Sequence, residues 1–218
     1  MPAFVFDAYG TLFDVHAAIG RYRSEAGPDA DRISEMWRTK QLEYSWTLTL
    51  AGQYLDFETL TERALDYTLA RFPSANKSLK PKYLEAYWTL DAYPDAKATL
   101  RALRERGAKT AILSNGSPKM LTSAVKAAGL ESELDAVLSV DALKMFKPRM
   151  EVYKMTADTL KVAATDVVFA SSNRWDVMGA AAFGFRPAWI NRASMPEEYP
   201  EFAPFKVLSS LSDLIALA

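Results

Sequence analysis

Cysteine is absent from the 218 residues, and histidine occurs once, at His16. The first absence excludes disulfides, a thiolate nucleophile and cysteine-ligated zinc or iron–sulfur centres. The second excludes a two-histidine metal site of the HExxH kind and leaves any Ser-His-Asp triad to His16 alone. A basic surplus is missing too: 26 Lys and Arg stand against 27 Asp and Glu, a net charge of −1. Such a balance argues against a general nucleic-acid or membrane-surface binder, because nothing is left over to hold phosphates. No apolar run approaches the roughly 20 residues that cross a bilayer. The segment Met1–Phe6 has neither the basic start nor the apolar length of a signal peptide. A cytoplasmic location is the expectation. Catalysis in such a chain falls to carboxylates, hydroxyls, Lys, Arg and backbone dipoles.

Half of the residues are hydrophobic and 24% are charged, the composition of a globule with a real core. The length suits one compact unit with an inserted subdomain. Five short apolar runs read as strands: Phe4–Phe6, Lys109–Leu113, Ala136–Val140, Val167–Ala170 and Pro187–Ile190. Helical patterns lie between them at Ala96–Arg106, Pro118–Ala128, Glu151–Val162 and Asp176–Phe183. Strands alternating with helices predict an α/β fold, a Rossmann-like parallel sheet with helices on both faces. From about Val15 to Tyr93 no strand run is convincing. That stretch reads as helices broken at Gly27-Pro28, at Gly52 and around Pro73–Asn76, one carrying the apolar stripe Phe57, Leu60, Ala64, Leu65, Thr68 and Phe72. The division predicted is a core of residues 1–14 and 94–218 with a helical cap over residues 15–93.

Ligands of open parallel sheets bind beyond the carboxyl ends of the strands. The polar residues there are Asp7, Ser114-Asn115 and Ser171-Ser172-Asn173, with Asp176 shortly after and Lys147 on a loop before a helix. Each has a plainer reading. Asp7 is also a turn former or N-cap, Ser114 and Asn173 are also helix caps, and Lys147 is also a solvated loop lysine. Arg38 is also a surface arginine lying over Trp37, and Tyr9, Leu42, Phe57 and Trp175 are also plain core. His16 reads as structural or exposed.

Taken in order, these segments carry a resemblance. Phe6-Asp7-Ala8-Tyr9-Gly10-Thr11-Leu12 resembles the first motif of the haloacid dehalogenase superfamily, and Leu113-Ser114-Asn115-Gly116 the second. Lys147-Pro148 is similar to the third, and Ser171-Ser172-Asn173-Arg174-Trp175-Asp176 to the fourth. The superfamily's phosphatases usually carry a second Asp two residues after the nucleophile and further acids in the fourth motif. Here those positions hold Tyr9, Ser171 and Asn173, which weakens a hard-cation site. The pattern is similar to the metal-free L-2-haloacid dehalogenases, as is the cap segment Trp37–Tyr44.

The resemblance implies hydrolysis of L-2-haloacids to D-2-hydroxyacids through an aspartyl ester, with inversion and without a cofactor or metal. It implies Asp7 as nucleophile, Lys147 and Thr11 beside it, and Asp176 with Ser171 and Asn173 on the hydrolytic water. Tyr153 joins that network, and Arg38 faces the departing halide. It further implies Ser114 and the Asn115 amide at the substrate carboxylate, with Tyr9, Leu42, Phe57 and Trp175 walling the pocket. The partners implied are a small 2-haloalkanoic acid, water, the halide product and a second copy of the chain, with no nucleic acid and no membrane. The alternatives are a phosphatase or phosphonate hydrolase of the same superfamily, and a non-catalytic binding protein on this fold.

Overall fold

The computed structural model describes residues 2–218. Six strands form one parallel sheet: β1 (Ala3–Phe6), β2 (Lys109–Ser114), β3 (Ala136–Ser139), β4 (Val167–Ser171), β5 (Arg186–Ile190) and β6 (Lys206–Leu208). Their order is β3-β2-β1-β4-β5-β6, so the first strand lies inside the sheet with later strands on either side. Every residue of β1 and β4 is buried. Strands covered on both faces read as continuous apolar runs, which is why Phe4–Phe6 and Val167–Ala170 were legible without alternation.

The helices are α1 (Ala17–Gly20), α2 (Arg23–Ala26), α3 (Ala30–Leu50), α4 (Phe57–Arg71), α5 (Lys80–Trp88), α6 (Ala96–Glu105), α7 (Pro118–Ala127), α8 (Met150–Leu160) and α9 (Arg174–Phe183). The first five fall between β1 and α6, where the sequence predicts helices only. Their breaks follow the predicted punctuation: α2 stops before Gly27 at φ 96°, α3 before Gly52 at φ 66°, and α4 before Pro73. The α4 stripe is buried from Phe57 to Phe72, and its N-terminus is capped by Asp56, whose carboxylate accepts from the Thr59 amide at 2.9 Å. The chain segments entering and leaving this helical block pair with each other. The Tyr93 amide donates to Leu12 O at 2.8 Å and the Asp14 amide to Asp91 O at 2.9 Å.

Several expectations are corrected. A sixth strand, Lys206–Leu208, extends the sheet edge. It is short and largely exposed, so it carries no apolar signal. Helix α9 begins at Arg174 rather than Asp176, because Asn173 already has a non-helical φ/ψ while its carbonyl takes the first helical bond. The Ala136 run ends at Ser139, whose hydroxyl accepts from the Asp141 amide and turns Val140 into a short 3-10 segment. Helix α8 runs from Met150 to Leu160, one residue earlier at its start and two earlier at its end than the periodicity suggests. Lys161 stops it in the left-handed region at φ 54°. No helix among the described residues is long and apolar enough to cross a membrane.

Candidate active site

Asp7 follows β1 directly, its amide donating to Ala170 O of β4 at 2.9 Å. The nearly buried carboxylate is gripped unevenly. Oδ2 accepts from the Thr11 hydroxyl at 3.1 Å and the Asn173 amide nitrogen at 2.7 Å, whereas Oδ1 accepts only from the Lys147 ammonium at 3.0 Å. Thr11 is itself fixed, since its oxygen accepts from the Ser172 amide at 2.9 Å.

Lys147 is fully buried and its Nζ also donates to Asp176 Oδ2 at 2.9 Å. One ammonium therefore joins two carboxylates from opposite ends of the sequence. Burial alone would lower that ammonium's pKa. Asp176 and then Asp7 outweigh it and hold the pKa above the ordinary lysine value. The backbone of this loop is anchored as well, the Lys147 amide donating to Asn115 Oδ1 at 3.0 Å.

Asp176 sits in the first turn of α9 with no exposed surface. Its second oxygen accepts from the Tyr153 hydroxyl at 2.8 Å. Burial pushes the Asp176 carboxyl up to about 6. The Lys147 ammonium opposes that rise and the Asp7 charge adds to it. Burial and the neighbouring Asp176 also hold the Tyr153 phenol well above its usual range, so it stays a donor.

The remaining residues fall into three groups. Ser171 and Asn173, expected with Asp176 on the hydrolytic water, are joined to each other and to Asp7. The Ser171 hydroxyl accepts from the Asn173 amide at 3.1 Å, forming a local turn, and that turn aims the Asn173 side chain at Asp7 and at Tyr9 O, 3.2 Å away. Asn173 therefore makes no cap bond to α9. Nor is Ser114 a cap. It accepts from the Gly116 amide at 3.1 Å, and Ser117 caps α7 instead. In the second group, Arg38 of α3 reaches across to the sheet and donates to Tyr9 O at 3.1 Å, so it is not an arginine spread over Trp37. In the third, Tyr9 and Phe57 are buried, their rings 6.0 Å apart, while Leu42 and Trp175 are half-buried. His16, exposed, hydrogen-bonds Ser34 Oγ at 2.7 Å, remote from these contacts.

Sequence reasoning gave no individual role to three residues here. Tyr87 of α5 stacks on Tyr9 at 5.5 Å and donates to the fully buried Gln41 at 3.3 Å. The available signal was Gln41 itself, a polar residue one turn from Trp37 on a buried face. Gly116 lies so close to Tyr9 that a Cβ would stand 2.7 Å from the ring. Gly179, inside the α9 pattern, is the third. An isolated glycine in a helix commonly marks a close approach.

Among the described residues no group of three or more His, Cys, Asp or Glu is placed to hold a metal ion. The two carboxylates at the site share one ammonium, which makes them a poor cage for a hard dication that seeks several oxygens.

The haloacid dehalogenase-like hydrolase family model matches residues 1–184. The chain belongs to this family. Its relatives include (S)-2-haloacid dehalogenase 1 of Pseudomonas sp. (strain CBS-3), 50% identical over 97% of this chain and 94% of the relative. (S)-2-haloacid dehalogenase 4A of Burkholderia cepacia is 49% identical over 98% and 93%. Among solved structures, the L-2-haloacid dehalogenase of Xanthobacter autotrophicus with chloropropionic acid covalently bound is 39% identical. It superposes with a TM-score of 0.91 over 100% of this chain and 98% of that one. The parallel sheet carries Asp7 and Ser114 at the carboxyl ends of β1 and β2, with Lys147 in the loop before α8 and Asp176 in the first turn of α9.

Proposed function

We propose that this protein is a hydrolase of carbon–halogen bonds that converts L-2-haloacids to D-2-hydroxyacids through an ester on Asp7. The observation that carries the reading is the shared ammonium of Lys147, in contact with Asp7 Oδ1 on one side and Asp176 Oδ2 on the other. The named relatives act on (S)-2-haloacids, and the Xanthobacter neighbour holds chloropropionic acid covalently.

The uneven grip on Asp7 assigns its oxygens. Oδ2 has two donors and Oδ1 only one. Oδ1 keeps a free lone pair and attacks C2 opposite the halogen, so the centre inverts once. The bond from Oδ1 to C2 forms as the carbon–halogen bond breaks, and the electron pair leaves with the halide. Arg38, held over the end of β1 by Tyr9 O, meets that anion. A planar, weakly hydrated guanidinium suits a large, soft halide. The substrate carboxylate lies on the β2 side, against Ser114 and the Asn115 amide.

Hydrolysis uses the other oxygen. Water attacks the Asp7 carboxyl carbon, and the charge that develops on Oδ2 meets donors already in place, Thr11 and Asn173. Asp176 takes the water proton. The hydroxyacid oxygen leaves beside Lys147, which gives it a proton and recovers one from Asp176. The new Asp7 hydroxyl loses its proton to solvent. Tyr9, Leu42, Phe57 and Trp175 screen the displacement from water. Residues 15–93 act as a cap over a core of 1–14 and 94–218, and the working unit is a homodimer. Sedimentation at micromolar concentration tests the second point.

A single turnover in heavy-oxygen water with enzyme in excess is the decisive test. The expected result is label in the peptide containing Asp7 and a largely unlabelled hydroxyacid. Labelled product with an unlabelled Asp7 peptide would mean direct attack of water on C2.

A further inference from the structure

Tyr87 and Gln41 belong to the helical block, have no part in the chemistry above, and are both buried. They join polar atoms of three helices in one chain. Gln41 of α3 donates from Nε2 to Thr61 Oγ1 of α4 at 3.1 Å and accepts at Oε1 from the Tyr87 hydroxyl of α5 at 3.3 Å. The Thr61 carbonyl accepts in turn from Trp37 Nε1 at 2.8 Å. The Tyr87 ring lies 5.1 Å from that of Trp37 and stacks on Tyr9 at 5.5 Å. At its other end the chain meets Arg38, which precedes Gln41 by one turn of α3. Burial holds the Tyr87 phenol above its ordinary range, while the Arg38 charge and hydrogen bonds to Gln41 and Arg38 oppose the rise. The phenol thus keeps its single proton, directs it to Gln41, and turns an oxygen lone pair to the guanidinium.

We infer that Tyr87 is a positioning residue for the displacement step: backed by Gln41, it fixes the Arg38 guanidinium where the departing halide meets it. The inference rests on the dehalogenase reading and adds to it the residues that aim its anion contact. Three observations support it. Arg38 has a long, flexible stem and donates to Tyr9 O at 3.1 Å. One hydrogen bond leaves a guanidinium free to pivot, and a second contact, from Tyr87, fixes its plane. Both anchors are neutral, so the positive charge stays available to an anion, where a carboxylate anchor would cancel it. Finally, apolar side chains of the same shape would join the three helices about as well as this buried polar chain does. A polar chain with its partners in place selects one arrangement of its members, and the member at its end is Arg38. Because the Tyr87 ring also lies on Tyr9, that arrangement is tied to the loop that follows Asp7.

Single turnovers of L-2-chloropropionate with the full-length protein in excess test the assignment. Chloride release reports displacement, hydroxyacid formation reports ester hydrolysis, and the two time courses together give both rate constants. Tyr87→Phe keeps the stacked ring and removes the oxygen. It is expected to slow chloride release about tenfold, the worth of one hydrogen bond to a charged group, and to leave ester decay within about twofold. In an Arg38→Lys background, itself slower than wild type at chloride release, Tyr87→Phe should change that rate by less than about twofold, because a residue acting through Arg38 has nothing left to position. Gln41→Met, apolar and of similar length, acts one bond further out and is expected to slow chloride release about threefold with the same split between steps. It decides the matter if Tyr87→Phe does not fold. Equal slowing of both steps, a full Tyr87→Phe effect in the Arg38→Lys background, or unchanged chloride release in the folded variants overturns the positioning role and leaves the dehalogenase reading intact. Absence of chloride release by the wild type overturns both.

Discussion

Gly179 passes Tyr153 so closely that a Cβ built on it would stand 2.7 Å from Pro148 Cβ and nearer still to the Tyr153 hydroxyl oxygen. That hydroxyl donates to Asp176, and Pro148 follows Lys147. One missing side chain on α9 thus makes room for both partners of the buried acid. Gly179→Ala is expected to cost about 1–3 kcal/mol by overpacking and to lower turnover by displacing Tyr153. Tyr153→Phe removes the closest atom, so the double variant should be less destabilised than the two single losses added together. Thermal denaturation of the four proteins checks it, and strict additivity would contradict the contact.

Asp7→Asn is expected to abolish halide release, by at least about 10⁴-fold, with the far-ultraviolet circular dichroism unchanged. The amide has almost the same shape but no nucleophilic oxyanion. Ion-selective measurement on freshly purified protein, with mass spectrometry to exclude deamidation, reads the result.

The acid limb of ester hydrolysis should lie below pH 6. Asp176 must be ionised to accept the water proton, so the rate falls as pH drops through its pKa. Its carboxyl is pushed up to about 6 by burial, and the Asp7 charge contributes to the rise. Esterification removes that charge, so the Asp176 pKa moves down in the intermediate. Single-turnover rates of ester decay from pH 4.5 to 8 give the limb directly, and a rate that does not fall towards acid pH would contradict the assignment.

Dialysis against EDTA is expected to leave turnover within about twofold of the untreated protein, since the acidic oxygens at the site are committed to one ammonium and too few for a hard dication. Loss of activity on chelation, restored by magnesium, would move the protein to the phosphatase side of the family.

The positions of the site residues were readable because they fall near strand ends in a fixed order, while their roles came only from the resemblance that this order carries. Asp7 and Ser114 follow apolar runs, Lys147 precedes a helical run and Asp176 opens one, and a parallel sheet gathers such ends along one edge. Other parts had no linear signal. Asn173 was expected with Asp176 on the hydrolytic water, and only three-dimensional geometry shows that the Ser171 turn aims its amide at Asp7 Oδ2. Strand β6 has three residues, too few for a period. Arg38 was ambiguous for a similar reason: its helix is amphipathic on either reading, and the side it faces depends on how the two linkers at Leu12 and Asp91 pair.

The placement of β1 has a consequence for how the chain comes to be folded. Ala3 aligns with Lys109 on one side and Val167 on the other, so β1 leaves the ribosome well before either partner exists. Its four apolar residues then wait without a ladder, an exposure that favours aggregation and slow acquisition of structure. The helical block emerges next and is rich in local contacts. During synthesis it is the first part able to collapse, and its contacts with the Tyr9–Phe13 segment shelter the region just after β1 until the sheet closes around it.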